Sequence, residues 1–262
     1  MADLSLPPDY PRGHDLLRNR RVVITAAAGT GIGFAAAKRC LEEGASVLIS
    51  DSHAARLAEA AARLEALAKG RVTALRCDVT VQDDVDALFA AAQNGFGAVD
   101  VLINNAGLGG TANLVDMTDA QWGKVLDVTL NGTFRMTRAA MQAMRGTGGG
   151  VIVNNASVLG WRAQQGQAHY AAAKAGVMAL TRCAALEGAE LGIRVNAVAP
   201  SLAMHPFLAK VTTEELLSEL KSHEAYGRPA EVWEVANVMV FLASDYASYM
   251  TGETVAVSSQ RA

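Results

Sequence analysis

Seven short apolar runs rich in Val and Ile recur along the chain, at 22–25, 46–50, 72–76, 99–104, 151–156, 194–199 and 254–257. Between them lie longer stretches whose apolar residues return every three or four positions, the period of a helix with one buried face. Strands alternating with helices predict a parallel sheet covered on both faces, because each crossover carries a helix back over the sheet. The stretch 168–191 departs from the amphipathic pattern. Ala171, Ala172, Ala173, Val177, Met178, Leu180, Ala184, Ala185 and Leu186 make it apolar on nearly every side. One face packs on the sheet and another calls for a partner, so a homo-oligomer is expected.

Composition narrows the class. A length of 262 residues suits one α/β domain over 21–262, preceded by an extended arm over 1–20 that carries Pro7, Pro8 and Pro11. Hydrophobic residues make up 51%, yet no uninterrupted apolar run is long enough to span a bilayer. The arm has no signal-peptide core, which excludes secretion by that route and predicts no membrane partner. A net charge of −3 leaves no electrostatic footprint for nucleic acid. Cys40, Cys77 and Cys183 stand at spacings unlike a metal site and read as reduced core thiols of a cytoplasmic protein.

Chemistry enters at the first run. Thr25 is followed by Ala26-Ala27-Ala28-Gly29-Thr30-Gly31-Ile32-Gly33 and an alanine-rich helix. Glycines there let the backbone approach a pyrophosphate, and a helix N-terminus supplies amide donors and the positive end of a dipole. The second run ends in Asp51, about twenty residues on, where a carboxylate accepts ribose hydroxyls and repels a 2′-phosphate. The competing reading of Asp51 is a cap for the helix beginning near Ala54.

The stretch 155–176 holds Ser157, then Tyr170 and, one helical turn beyond, Lys174. Positions i and i+4 share a helix face, so the ammonium stands beside the phenol. A cation about 5 Å away, at an effective dielectric of about 20, favours the phenolate by roughly 3 kcal/mol, about two pKa units. Charge alone therefore predicts a phenol able to trade a proton with an alcohol or ketone, with Ser157 donating to the same oxygen. A Tyr-x-x-x-Lys pair by itself is weak; the company of Ser157 and of the glycine turn carries the signal.

With these motifs in order, the chain resembles the short-chain dehydrogenase/reductase family from 21 to about 257. Cys77-Asp78-Val79, Asn104-Asn105-Ala106-Gly107, Arg194-Val195-Asn196-Ala197-Val198-Ala199-Pro200 and Thr251-Gly252-Glu253 match further family motifs. The resemblance implies a single-domain, Rossmann-like, doubly wound parallel sheet of seven strands. Its cofactor half would lie at about 21–150 and its catalytic half at about 151–262. Ser157, Tyr170 and Lys174 fall on the family's catalytic positions. The resemblance puts Gly29, Thr30, Gly31, Ile32 and Gly33 at the pyrophosphate and Asp51 at the ribose. It puts Asp78 and Val79 at the adenine, and Asn105, Ala106, Gly107, Pro200 and Ala203 around the nicotinamide, with Tyr170 and Lys174 at its ribose. Asp51 favours NAD over NADP. The family commonly forms tetramers through the apolar helix, so a tetramer or dimer is implied.

Departures from the family pattern are specific. Ala26 stands where the turn usually has Gly, and one extra residue separates Thr25 from Gly31. Thr129 holds the place of a water-holding Asn, while Asn131, two residues on, lies on another face. Pro200-Ser201 replaces Pro-Gly, His205 replaces a carboxamide-contacting Thr, and Ser258-Ser259-Gln260 stands where Asp-Gly-Gly closes the family.

Leu159, Trp161, Arg162 and His205 are the candidate substrate residues, with Leu159 and Trp161 packing a bulky apolar body and Arg162 meeting an anion or merely sitting on a surface loop. A lid is expected over 205–226. The motifs at 26–33, 154–164 and 244–252 together resemble a branch of bacterial steroid-degradation reductases. These interconvert the 5-hydroxyl and 5-ketone of a methylhydrindane propanoate carried as its coenzyme A thioester. A 3-oxoacyl-thioester reductase is the alternative, opposed by Asp51 with no basic residue beside it, since that role uses NADPH. A catalytically silent nucleotide-binding scaffold is opposed by the intact Ser157, Tyr170 and Lys174.

Overall fold

The structure is a computed structural model and describes residues 4–204 and 214–260. Its main sheet contains β1 (Arg21–Ile24), β2 (Ser46–Asp51), β3 (Val72–Arg76), β4 (Val101–Asn104), β5 (Gly150–Asn155), β6 (Ile193–Pro200) and β9 (Thr254–Val257). All pairings are parallel, in the order β3-β2-β1-β4-β5-β6-β9. β7 (Ala203–Met204) and β8 (Ala230–Glu231) pair separately. β4 begins two residues later than the apolar run; Asp100, just before it, accepts from the Arg21 backbone N and Nε at 2.7 Å each.

The helices are α1 (Ile32–Glu42), α2 (Ala54–Leu67), α3 (Gln82–Phe96), α4 (Asp119–Leu126), α5 (Gly132–Met144), α6 (Ala168–Ala189), α7 (Glu214–Ser222) and α8 (Val232–Ala243). A single π-helical turn, Asp127–Asn131, joins α4 to α5. Successive strand residues point to opposite faces. Val22, Ile24, Val47, Ile49, Val101 and Ile103 accordingly pack under α1, α2 and α8. Val23, Leu48, Leu102, Ile152 and Val195 pack under α3, α5 and α6. This is why the central strands read as continuous apolar runs: neither of their faces meets water, whereas the edge strand β3 is largely exposed.

Strand order reverses between β1 and β4, the point at which such sheets open a crevice at their carboxyl edge. Residues 4–20 contain neither helix nor strand and are tied to the end of α1. Buried Glu43 accepts from His14 N at 2.8 Å and Leu16 N at 3.1 Å. Tyr10 lies under the Lys38 ammonium and 5.4 Å from the Trp233 ring, and Leu17 is fully buried.

One composition-based expectation needs correcting. Cys40 and Cys77 are buried free thiols, but Cys183 is exposed, because it falls on the outward face of α6.

Candidate active site

At the crevice, Thr25 ends β1 and turns a buried hydroxyl towards β4, accepting from Asn105 N and Ala106 N at 3.0 Å each. Gly33 sits in the first turn of α1, where an added Cβ would lie 2.3 Å from the Ala26 carbonyl and 2.5 Å from Asn105 Nδ2. Only glycine fits there. Ala26 takes φ 50° and Gly29 φ 92°, so the turn makes its left-handed step at a residue with a side chain as well as at a glycine. The N-cap of α1 is Gly31, which caps with no side chain. The first amides of α1 are therefore left for another acceptor, as a bound pyrophosphate requires.

Asp51, Asp78, Val79, Ala106 and Gly107 line a groove of about 520 Å³ together with Ala26, Arg56, Lys124 and Asp127. Asp51 accepts from His53 N at 2.9 Å, but α2 is capped by the His53 side chain, so Asp51 is not spent as the cap. The sequence expectation of no base beside Asp51 is corrected: Arg56, in the first turn of α2, brings its guanidinium to 3.9 Å from the carboxylate. Asp78 receives two hydrogen bonds from Thr80, which hold its carboxyl below the usual range. Asn105 lies behind the groove as a brace, donating to the Ala26 carbonyl at 3.1 Å and accepting from Asn155 Nδ2 at 2.9 Å. Pro200 ends β6 at the same edge and Ala203 opens β7, outside the lining of this groove. The groove, the open helix end and the glycine cradle fit a dinucleotide.

The candidate proton-transfer residues meet between β5 and α6. Ser157 follows β5 and begins a 3₁₀ turn (Val158–Gly160), its hydroxyl accepting from Leu159 N at 3.2 Å. Tyr170 and Lys174 stand one turn apart on α6, with the ammonium 5.5 Å from the ring centre. Lys174 is 3% exposed and donates to the Asn155 carbonyl. Burial lowers its pKa to about 8. Tyr170 does not follow the expectation from charge alone: burial raises the phenol, and the contribution that lowers it is a hydrogen bond with Ser157. Desolvation outweighs the neighbouring cation, which is itself poorly solvated. At neutral pH the phenol of this site is protonated, the state that donates to a ketone.

A Cβ on Gly107 would lie 3.4 Å from Lys174 Nζ and 3.8 Å from Thr129 Oγ1, so the groove floor adjoins the candidate catalytic Lys174. Thr129 is fully buried in the π-helical turn. Its hydroxyl accepts from Leu108 N at 3.0 Å, and its carbonyl accepts from Thr133 Oγ1 at 2.8 Å. Asn131 instead donates to Asp127 on the outer face. Behind the site, Asn104 Nδ2 donates to Thr137 and to Asn154 Oδ1, and Asn154 Nδ2 donates to Thr181. This buried chain fixes α5 and α6 against β4 and β5.

The described candidate substrate residues lie together. Leu159, Trp161 and Arg162 all line an open groove along α6 with Leu114 and Ala172, where the Trp161 side chain is 49% exposed. Leu159 and Arg162 also line a cleft of about 740 Å³ with Gln167, Glu219, His223 and Gln260, which Trp161 does not reach. His205 lies outside the described residues, as do Lys210 and much of the expected lid.

Residues 26–259 match the family model described as enoyl-(acyl carrier protein) reductase. A crystal structure of a short chain dehydrogenase from Mycobacterium smegmatis superposes with a TM-score of 0.88 at 56% identity, covering 99% of this chain and all of that one. The chain belongs to the short-chain dehydrogenase/reductase family. It is a single-domain oxidoreductase that uses a nicotinamide dinucleotide. A Mycobacterium tuberculosis relative, 59% identical over 98% of this chain and 99% of its own, is the (5R,7aS)-5-hydroxy-7a-methyl-1-oxo-2,3,5,6,7,7a-hexahydro-1H-indene-carboxyl-CoA reductase. The cis-4-hydroxycyclohexanecarboxylate dehydrogenase of Sinomonas cyclohexanicum is 40% identical over 90% of this chain and 94% of its own. Among the described residues no helix is long and apolar enough to cross a membrane, and no His, Cys, Asp and Glu cluster could hold a metal.

Sequence reasoning in this family missed several site residues. Thr25 and Arg56 carry signals in hindsight: a polar residue closing an apolar strand, and a cation five positions after the acidic strand end. Asn155 serves through its backbone carbonyl, which has no sequence signature.

Proposed function

We propose that this enzyme uses NAD(H) to interconvert a secondary alcohol and a ketone at the 5-position of a methylhydrindane skeleton carried as a coenzyme A thioester. Full-length identity of 59% to the M. tuberculosis reductase supports this reading most directly. The Sinomonas relative, named for a hydroxyl on a six-membered carbocycle, supports a ring substrate over a linear one. In the reduction, Ser157 orients the substrate oxygen and Tyr170 Oη delivers a proton to it; oxidation reverses both. Bound nicotinamide supplies or accepts the hydride. Lys174 holds the nicotinamide ribose and stabilises Tyr170 whenever the phenol gives up its proton. The Asp51 carboxylate in the groove supports NAD over NADP, and three free cysteines, two of them buried, support a cytoplasmic location. Leu159 and Arg162 would meet the substrate from the large cleft, and Trp161 from the adjoining groove along α6.

Turnover of the ring thioester, its free acid and a linear 3-oxoacyl-CoA under matched conditions tests the substrate. The ring thioester is expected to win on kcat/KM, and a win for the linear thioester overturns the reading. Tyr170→Phe is expected to remove at least about 99% of kcat with little change in cofactor Kd, because the phenol acts mainly in the transition state. Turnover near the wild-type rate by that variant defeats the assignment.

A further inference from the structure

Ser258-Ser259-Gln260 stands where the family pattern closes with Asp-Gly-Gly, and this segment reaches the substrate cleft. Arg162 Nη1 donates to Gln260 Oε1 across 98 positions of sequence. Both side chains are part-buried and both line the cleft of about 740 Å³. The tail that carries Gln260 is itself anchored. Glu224 is 3% exposed and accepts from Ser259 Oγ at 2.7 Å, while Ala225 N donates to the Ser259 carbonyl at 2.6 Å. Glu224 and Gln260 form an antiparallel bridge, and the second Glu224 oxygen accepts from Leu202 N after β6. The tail, the end of the α7 segment and the loop after β6 thus meet at one buried carboxylate.

Arg162 has a neutral amide as its partner, so its charge is held in place without being cancelled. A guanidinium fixed in that way is arranged to receive an anion, since less side-chain entropy is lost on binding. His223 adds a second base to the cleft, and Glu219 on α7 is the acidic group that faces it. The geometry points to Gln260 as a positioning residue that aims Arg162 at the phosphates of a coenzyme A thioester, with the chain's own C-terminal tail forming a wall of the substrate site. This inference rests on the acyl-CoA reading for its ligand and goes beyond it by naming the group that receives the phosphates.

Coenzyme A itself is the probe, titrated into the NADH-loaded enzyme, with pantetheine, which lacks phosphates, as its control. Arg162→Ala and Gln260→Glu, the latter placing a carboxylate against the guanidinium, are each expected to raise the coenzyme A Kd about fivefold, the upper end for a part-exposed charge contact. Pantetheine binding should move by less than twofold, and the difference should shrink in high salt. Gln260→Ala should weaken coenzyme A in wild type but add nothing to Arg162→Ala, because it acts through that residue. Equal changes for coenzyme A and pantetheine, or additive effects of the two alanine variants, overturn the inference. The two readings fail separately. If ring thioesters are turned over while coenzyme A binding ignores these variants, the tail has no such role. If coenzyme A binding responds as expected while no ring thioester is turned over, the substrate reading falls and the tail's role stands.

Discussion

Burial takes Lys174 from an ordinary 10.5 down to about 8, with the Asn155 carbonyl rather than a carboxylate as its acceptor. A depressed amine destabilises the fold while it is charged in both states, and the penalty is relieved where the unfolded chain binds more protons. Between pH 8 and 10.5 stability therefore rises with pH, and below about 8 the whole penalty is present. A shift of that size corresponds to about 3 kcal/mol. Lys174→Met removes the penalty but orphans the Asn155 carbonyl at about 2 kcal/mol, leaving a net gain of about 1 kcal/mol. The cofactor-free variant should thus melt above wild type at pH 7 by thermal denaturation, lose the advantage near pH 10, and turn nothing over. A lower melting temperature at pH 7 contradicts the argument. Asp51 makes a second prediction at this scale. Its carboxylate is partnered by the half-exposed Arg56, a pair that contributes little to stability and that, on the proposed reading, sets the charge met by the adenosine ribose. Asp51→Ala strips the carboxylate and leaves Arg56 free to meet a 2′-phosphate. The ratio of kcat/KM for NADPH over NADH should rise at least about tenfold, and Arg56→Ala on that background should reverse most of the gain. A ratio unmoved by Asp51→Ala would show that the carboxylate does not face the ribose.

Elements were legible in the sequence in proportion to how far their pattern depended on burial. Strands buried on both faces announce themselves as apolar runs, and the seven expected strands appear within two residues of their forecast ends. The nearness of Tyr170 and Lys174 was legible because i and i+4 on one helix is a local relation. What escaped were relations that only the fold creates: the Ser157 contribution to Tyr170, Arg56 turning back on Asp51, and Arg162 reaching Gln260 across the cleft. The phenol showed the limit most clearly, since a charge at known spacing was readable but the desolvation opposing it was not. The glycine turn shows the same division. Its departure at Ala26 was visible, while the φ of 50° that accommodates it was not. An alanine in that region costs roughly 1–2 kcal/mol relative to glycine, offset by the roughly 0.4–1 kcal/mol that glycine loses in unfolded-chain entropy. Ala26→Gly should accordingly stabilise the protein by about 0.5–1 kcal/mol in denaturant unfolding with an unchanged m-value. A destabilised variant would mean that the Ala26 methyl packs better than its backbone is strained.

At the scale of the molecule, one sheet brings the dinucleotide groove, the proton-transfer residues and the cleft to its carboxyl edge, while the helices on one side remain incompletely covered. α4 and α5 both pack beside α6, and each of the three exposes a large apolar side chain: Trp122 at 38%, Phe134 at 43% and Leu186 at 79%. Along the same line of α6 as Leu186, the exposed residues Ala172, Ala175, Ala179 and Cys183 are small, which lets another helix approach closely. A monomer would leave this face in water, whereas a second copy would cover it with an identical face about a two-fold axis. Such a face supports a homodimer or tetramer, and it makes a prediction that separates assembly from folding. Phe134→Asp and Leu186→Glu together place charges on exposed positions, so the monomer fold loses little, but an interface must desolvate them. Light scattering after size exclusion should show the wild type as a multiple of 27.4 kDa and the double variant shifted towards smaller species, with far-ultraviolet dichroism unchanged. A wild-type protein that elutes as a monomer removes the oligomer reading, and a double variant that keeps the wild-type mass moves the interface to another face of the molecule.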